Sequence, residues 1–333
     1  MRESSTIGFV IGVDVGGTKV AAGLVDREGE IRTQTRMPMV ATSDASAGLK
    51  AVTSAIDLVC RQSGTDPCSG LIRGIGICAP GPLDPVTGVI VNPPNLPCWR
   101  NYPLASEVSK LYQIPVKVDN DANAAALAEV RWGAGRGYRN VFYATIGTGI
   151  GTGIVFDGKI YHGRTGAAGE GGHLSINYLG PQCACGKSGC IEAYASGPAI
   201  ARRTREKLAS GTHADSVIST LSGGNMEAVS SELVNKAYRD RDPLATEIVR
   251  ETVELLSAWL GNIIDLLDPD VIIIGGGVAS MLQPFFGDIS GQLPRWSINS
   301  RSQEIPLLMA RHGADAGIAG GAALCADILE YGL

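Results

Sequence analysis

The sequence predicts an α/β protein built from two related halves, and three observations lead there. Apolar runs such as 7–13 and 141–146 end in glycine turns, and segments with helical spacing recur between such runs. Each half opens alike: Gly23-Leu24-Val25-Asp26 with Gly29-Glu30-Ile31 is echoed by Gly153-Ile154-Val155-Phe156-Asp157-Gly158-Lys159-Ile160. A weak internal repeat of strand, glycine-threonine turn, strand, turn, strand suggests duplicated halves. Finally, 333 residues with 44% hydrophobic and 18% charged side chains suffice for two domains with real cores, and no low-complexity linker separates them.

In order, residues 7–13 read as a buried strand and Asp14-Val15-Gly16-Gly17-Thr18-Lys19 as a glycine turn, followed by strands at 20–25 and 30–37. A strand that returns through glycines differs from a Walker loop, which runs into a helix. The turn reads either as a phosphate-binding hairpin, with Thr18 and Lys19 as donors, or as a tight β-turn. The echo at Gly147-Thr148-Gly149, in a glycine turn read over 147–153 ahead of a strand at 154–156, favours phosphate at both. Leu49, Val52, Ile56 and Val59 give 45–63 helical spacing. Residues 74–78 form a strand, 79–84 a rigid turn, and the proline-rich stretch Asn92–Trp99 a stiff non-helical loop able to present Asn95.

The run ending at Val118 meets Asp119-Asn120-Asp121-Ala122-Asn123 and then an alanine-rich helix. Asn120 or Asp121 suits the N-cap. One cap needs one oxygen, and the surplus lies at the carboxyl end of a strand, where open α/β sheets place their chemistry. A carboxylate there can accept a substrate hydroxyl proton. Further on, Ser196 and Pro198 open a helix to about 208, and 210–224 reads as a loop. Asp242-Pro243 opens a long apolar helix to about 267, 271–274 is a buried strand, and Gly275-Gly276-Gly277 leads into another helix whose N-terminus would face a ligand. A strand at 305–310 and one helix over 315–329, with closely packing glycines, complete the chain.

Net charge of −5 argues against nucleic acid as the main partner. No run reaches the ~18 apolar residues of a membrane span, and residues 1–5 are no signal peptide, so the expected location is the cytoplasm. Of eight cysteines, Cys60, Cys68, Cys78, Cys98 and Cys325 are scattered and read as small buried residues. Cys183, Cys185 and Cys190 are clustered, and with His173 they offer three thiolates and an imidazole. That set fills a tetrahedral zinc site with no open position, which makes it structural. Glu170 and Glu192 flank the loop and would be brought near one point.

The set Asp14–Lys19, Asn120-Asp121, Gly169-Glu170-Gly171-Gly172-His173 with Cys-x-Cys-Gly-x-x-Gly-Cys-x-Glu, and Gly275–Gly277 resembles the ROK family of bacterial sugar kinases, over essentially the whole chain. The resemblance implies an actin-like ATPase (ribonuclease H-like) fold with two lobes around a cleft. The lobes would be 1–119 with about 313–333, and 120–312 carrying the zinc loop 173–190. It implies ATP- and Mg²⁺-dependent phosphorylation of a hexose 6-hydroxyl, most simply glucose, by a homodimer or homotetramer. By motif, Asp121 matches the catalytic base, and Asn95, Asn120, Asp121, Glu170, His173 and Glu192 the sugar site. Asp14, Gly16, Gly17, Thr18, Lys19, Thr145, Gly147, Thr148 and Gly149 match the phosphate segments, and Gly275, Gly276 and Gly277 the adenosine segment. The zinc ligands would be His173, Cys183, Cys185 and Cys190.

Gly171 and Cys98 depart from the usual pattern beside the sugar contacts, which leaves N-acetylglucosamine, N-acetylmannosamine and fructose as alternative substrates. A sugar-sensing repressor would need a DNA-binding module ahead of the first hairpin, where six residues stand. A non-catalytic zinc module would need the Asp121 position replaced.

Overall fold

The computed structural model describes residues 8–39, 44–213 and 215–331. Outside the described residues lie 1–7, with the first position of the first expected strand and the segment judged no leader, and also 332–333 and the Cys68 side chain. The chain begins with β1 (Phe9–Val15), β2 (Lys19–Val25), β3 (Ile31–Pro38), α1 (Ala45–Ser63), β4 (Ile72–Ala79), β5 (Leu83–Asp84), β6 (Val89–Ile90), α2 (Leu104–Tyr112), β7 (Val116–Asn120) and α3 (Asp121–Trp132). Next come β8 (Val141–Ile146), β9 (Ile150–Phe156), β10 (Lys159–Ile160), α4 (Glu192–Ala195), α5 (Gly197–Ala209), α6 (Val217–Leu221), α7 (Ser231–Arg239) and α8 (Pro243–Leu267). The remainder is β11 (Val271–Gly275), α9 (Ala279–Leu282), α10 (Phe286–Trp296), β12 (Leu307–Met309), α11 (Ala316–Leu324) and α12 (Ala326–Tyr331).

Two five-stranded sheets have the orders β3-β2-β1-β4-β7 and β10-β9-β8-β11-β12. In the first, β1, β2 and β3 form an antiparallel meander, and β4 and β7 continue parallel to β1. In the second, β9 and β10 pair antiparallel, and β11 and β12 continue parallel to β8. The two orders coincide when each is counted from its own first strand, so the sequence echo is a repeat of topology. This is the ribonuclease H-like plan of the actin-like ATPase fold.

The chain divides into two compact units, Met1–Asn140 with Gly153–Gly169 and Arg311–Leu333, and Val141–Thr152 with Glu170–Ala310. The expected boundary at 119/120 therefore moves. A Cβ on Gly320 would stand 2.8 Å from the Ala124 backbone, and one on Gly153 2.7 Å from the Ala122 carbonyl. With backbone against backbone on both sides, α3 belongs to the first unit, and it takes 153–169 with it.

Strand periodicity sorts the core of that unit. Ile11 and Val13 of β1 and Ile75 and Ile77 of β4 point toward Val52, Ile56 and Val59 of α1. The opposite faces of β1 and β4 carry Gly12 and Gly76, against which α11 lies directly. A Cβ on Gly12 would stand 1.9 Å from the Ile318 carbonyl oxygen, and one on Gly76 1.7 Å from that of Gly321. Helix ends follow local chemistry. Asp44 caps α1, which stops at Gly64 with φ 67°. Asp242 caps α8 ahead of Pro243, and α5 starts at Ser196 with Pro198 in its first turn.

Four expectations are corrected. The loop at 210–224 contains α6, because Ser216 caps Ile218 and the Ile218 side chain is fully buried. The glycine turn after β8 is shorter than 147–153: β9 already begins at Ile150. The last helix is two, broken at Cys325, whose side chain tucks against Gly74. The helix after Gly277 is only the four-residue α9, cut short by a 3₁₀ turn containing Pro284.

The glycine contacts make a two-sided prediction for denaturant unfolding. Gly76→Ala should destabilise by about 1–3 kcal/mol or more, as overpacking does. Gly291→Ala in α10, with nothing within 4 Å of the new Cβ, should stabilise by about 0.5–1 kcal/mol. Wild-type stability for Gly76→Ala would show that α11 yields easily.

Candidate functional site

In the first unit the polar cluster at the end of β7 divides its tasks. Asn120 Oδ1 accepts the Ala122 and Asn123 N–H groups at 2.9 and 3.3 Å, so Asn120 is the cap of α3. Asp121 is the first helical residue, exposed, with Oδ1 accepting the Ala122 N–H at 2.8 Å. Asp119 is buried. Its Oδ1 accepts the Asn120 N–H at 2.7 Å and the Asn123 amide at 3.2 Å, and its Oδ2 meets His162 Nε2 at 2.6 Å.

The turn between β1 and β2 closes by a Gly16 N–H to Lys19 carbonyl bond of 2.9 Å, leaving Thr18 and Lys19 exposed. Gly17 approaches the 92–99 loop so closely that a Cβ would stand 2.6 Å from the Asn95 carbonyl. That loop is non-helical, as expected. It hangs on buried Leu96 and Trp99, and Trp99 stacks on Tyr102 with centroids 5.5 Å apart. Cys98 is buried against Gly48, so this departure from the family pattern is absorbed by the core. Asp14, next to last in β1, lies beside Gly317. Burial pushes its carboxyl above the ordinary range, opposed by Lys19, the Cys78 thiol and Arg36.

In the second unit Thr145 pairs with Gly275, so the glycine turns after β8 and β11 are neighbours at the carboxyl ends of parallel strands. Gly276 has φ 90°, and a Cβ there would stand 2.4 Å from the Ile146 carbonyl. The Val278 N–H donates to that same carbonyl at 2.9 Å, and Gly197 N–H to the Gly147 carbonyl at 2.8 Å. Beside them opens a cavity of about 510 Å³ lined by Gly147, Thr148, Pro198, Arg205, Glu232 and Gly277. A ligand here would face the glycine turns together with the N-termini of α5 and α7, which open on the same cavity.

His173, Cys183, Cys185 and Cys190 converge, with their ligand atoms all within 4.8 Å of one another. Cys185 and Cys190 sulfurs are 3.7 Å apart, and Cys183 Sγ is 3.7 Å from His173 Nδ1. Tetrahedral bonds of ~2.3 Å to sulfur place ligands about 3.8 Å apart, so the set fits Zn²⁺ in donor type and spacing. Gly186 and Gly189 turn the loop with φ of 90° and 75°.

Glu192 stands two residues beyond Cys190. Its Oε1 lies 3.8 Å from His173 Nδ1, and its Oε2 accepts the Ile150 N–H at 2.8 Å. Glu170 is exposed at the turn leading to His173, whose N–H bonds its carbonyl at 3.0 Å. Gly171, the other departure from the family pattern, is clamped. Its N–H donates to Thr152 Oγ1 at 2.8 Å and its carbonyl accepts from Trp259 Nε1 at 3.0 Å, while a Cβ would stand 2.8 Å from Thr152 Oγ1. Sequence reasoning missed Thr152, Trp259 and His162. Their partners, Gly171 for the first two and Asp119 for His162, lie far away in the chain, so no local pattern marked them.

Duplicated sheets of the actin-like ATPase plan here carry paired glycine turns and a His-Cys₃ loop. The ROK family pattern matches residues 10–328, and the chain belongs to that family. It is 34% identical to a glucokinase of Streptomyces coelicolor over 96% of this chain and 98% of that one. A glucokinase of Halalkalibacterium halodurans is 35% identical, over 94% and 93%. Among solved structures, a ROK glucokinase from Streptomyces griseus in complex with glucose and AMPPNP aligns with TM-score 0.78 and 35% identity, over 95% of this chain and 99% of that one. A ROK transcriptional regulator aligns with TM-score 0.84 and 28% identity, over 96% and 78%.

Thr152→Val should leave the Gly171 N–H without an acceptor and lower stability by about 1–3 kcal/mol. Denaturant midpoints for Thr152→Val and Thr152→Ser test this, since serine retains the acceptor. Equal losses in both would exclude the hydrogen bond as the cause.

Proposed function

We propose that this chain, a hexose kinase of the ROK family, transfers the γ-phosphoryl group of ATP to the 6-hydroxyl of glucose with Asp121 as general base. The observation that carries the reading is the division of labour at α3. Asn120 caps the helix, so fold formation does not require a carboxylate at 121, yet one stands there exposed at the end of a β-strand. The glucokinase relatives and the glucose- and AMPPNP-bound neighbour support the choice of substrates.

In this mechanism Asn95, Asn120, Glu170, His173 and Glu192 hydrogen-bond the sugar hydroxyls, a type of site that discriminates stereochemistry well. Asp121 accepts the hydroxyl proton as the oxygen attacks phosphorus. Asp14, Gly16, Gly17, Thr18 and Lys19, with Thr145, Gly147, Thr148 and Gly149, hold the phosphates. Gly275, Gly276 and Gly277 take the adenosine. Mg²⁺, when bound with ATP, neutralises phosphate charge, and the buried Asp14 carboxylate would hold it. We also propose that the protein works as a homodimer or homotetramer, which light scattering reads directly.

A coupled ADP-release assay across glucose, N-acetylglucosamine, N-acetylmannosamine and fructose should give its highest kcat/KM with glucose. Asp121→Asn should lower kcat by ~10²–10⁴ while leaving glucose affinity by calorimetry nearly unchanged. Near-normal kcat in that variant would place the base elsewhere. Absence of turnover with every sugar would refute the kinase reading in favour of a sugar-responsive regulator.

His173, Cys183, Cys185 and Cys190 would hold one structural Zn²⁺ that takes no part in the transfer. Its effect is to fix the loop carrying Glu170 and Glu192. Elemental analysis should find one zinc per chain, and Cys185→Ser should lose both the metal and glucose binding. Fully active protein without zinc would contradict the assignment.

A further inference from the structure

His162 is a residue that the kinase reading leaves without a role. It follows β10, and its carbonyl accepts the Ala168 N–H at 3.1 Å, which fixes the backbone beside Gly163. Its ring is one-third exposed at 33%, whereas the Asp119 side chain it meets is 6% exposed. The 2.6 Å contact between them is among the shortest polar contacts of this unit and joins segments 43 residues apart.

Asp119 has no other side-chain duty than to tie the turn together. One oxygen takes the Asn120 N–H and the Asn123 amide, and the other takes His162. Asn123 is itself buried at 3% exposure, so the first turn of α3 leans on this carboxylate. Without His162 the second oxygen would be a nearly buried, charged acceptor with no donor. Such a group re-orients or takes up water, and either change is transmitted to the Asn120 N–H and to the cap of α3.

We propose that His162 is a positioning residue, which through Asp119 fixes the turn that presents Asn120 and Asp121. The inference rests on the assignment of Asp121 as base but concerns a residue that does not touch substrate. The bond from Asp119 raises the His162 pKa above its ordinary 6.5, against the opposing effect of burial. Other charges line the cavity of about 900 Å³ that His162 and Asp119 share: Lys117 on β7, Lys159 on β10, Arg131 in the last turn of α3, Arg136 in the loop after it, Asp157 and Asp327. Arg131 pairs with Asp327, and Asp157 with Arg139, so Asp119 is the carboxylate that His162 answers to.

The sign follows from the raised pKa. The contribution of the charged pair is fully present below the ordinary histidine value and fades as pH rises through the higher folded value. Below that, kcat gains from the ion pair. Above it, a neutral imidazole donates a weaker bond.

The test compares wild type, His162→Leu and His162→Gln in kcat and KM across pH, together with amide exchange over residues 116–124. His162→Leu should lose about tenfold or more in kcat, since ~1 Å of misplacement can cost about 10²-fold, with KM for MgATP unchanged. His162→Gln, a neutral donor, should recover most of that activity and lack the wild-type inflection above pH 6.5. Exchange over 116–124 should quicken in His162→Leu whether or not any sugar is turned over. Faster exchange with no turnover in wild type would uphold the positioning role and refute the kinase reading alone. Wild-type kcat and exchange in His162→Leu, or an unchanged inflection in His162→Gln should the leucine variant not fold, would overturn the proposal.

Discussion

The first unit depends on the absence of side chains between α11 and the sheet. Gly12, Gly76 and Gly321 let a helix lie with its backbone against two central strands, a separation that a single methyl group would forbid. On its other side Gly320 admits the backbone of α3 in the same way. The strand that carries Asp14 and the helix that begins with Asp121 are therefore both referenced to one rigid element, without long side chains whose rotamers could vary. Close packing of this kind transmits position well because interiors have few voids to absorb a shift.

A second consequence concerns Asp14. Gly317 leaves room for its carboxylate only by lacking a Cβ, which would lie 2.3 Å from the Asp14 carboxyl carbon. The acid is thus partly enclosed, and the desolvation that raises its pKa is opposed by Lys19, the Cys78 thiol and Arg36.

Much of this was legible in the sequence where one residue decides one outcome. Asp242-Pro243 marks the start of α8, Ser196 that of α5, and the four metal-type side chains their cluster, because caps and ligand sets are local chemistry. The repeated strand, turn, strand opening of each half was legible too, and the structure adds the order in which the parallel strands join it. What escaped depends on tertiary context. Within the largely polar stretch 210–224, Val217–Leu221 becomes helical around buried Ile218, and the chain breaks at Cys325 to seat a side chain against Gly74. Gly171 looked like a departure from pattern, and only the positions of Thr152 and Trp259 explain why nothing larger stands there. The compact units differ from the boundary expected near 119 because α3 packs within the first of them.

The two meanders share an order but differ in what lies between their third and fourth strands. In the first sheet the chain crosses from β3 to β4 in residues 39–71, mostly as α1. In the second it crosses from β10 to β11 in residues 161–270, which include the cysteine loop and α4 to α8. For a flexible chain, tethering the ends of a crossover about three times longer costs only about 1 kcal/mol more in closure entropy. The parallel pairing of β8 with β11 tolerates that excursion because its register does not depend on how far the chain travels between the strands. Polymer statistics thus make this crossover the inexpensive place to insert new recognition elements, while the sheet beneath keeps the plan of its shorter counterpart.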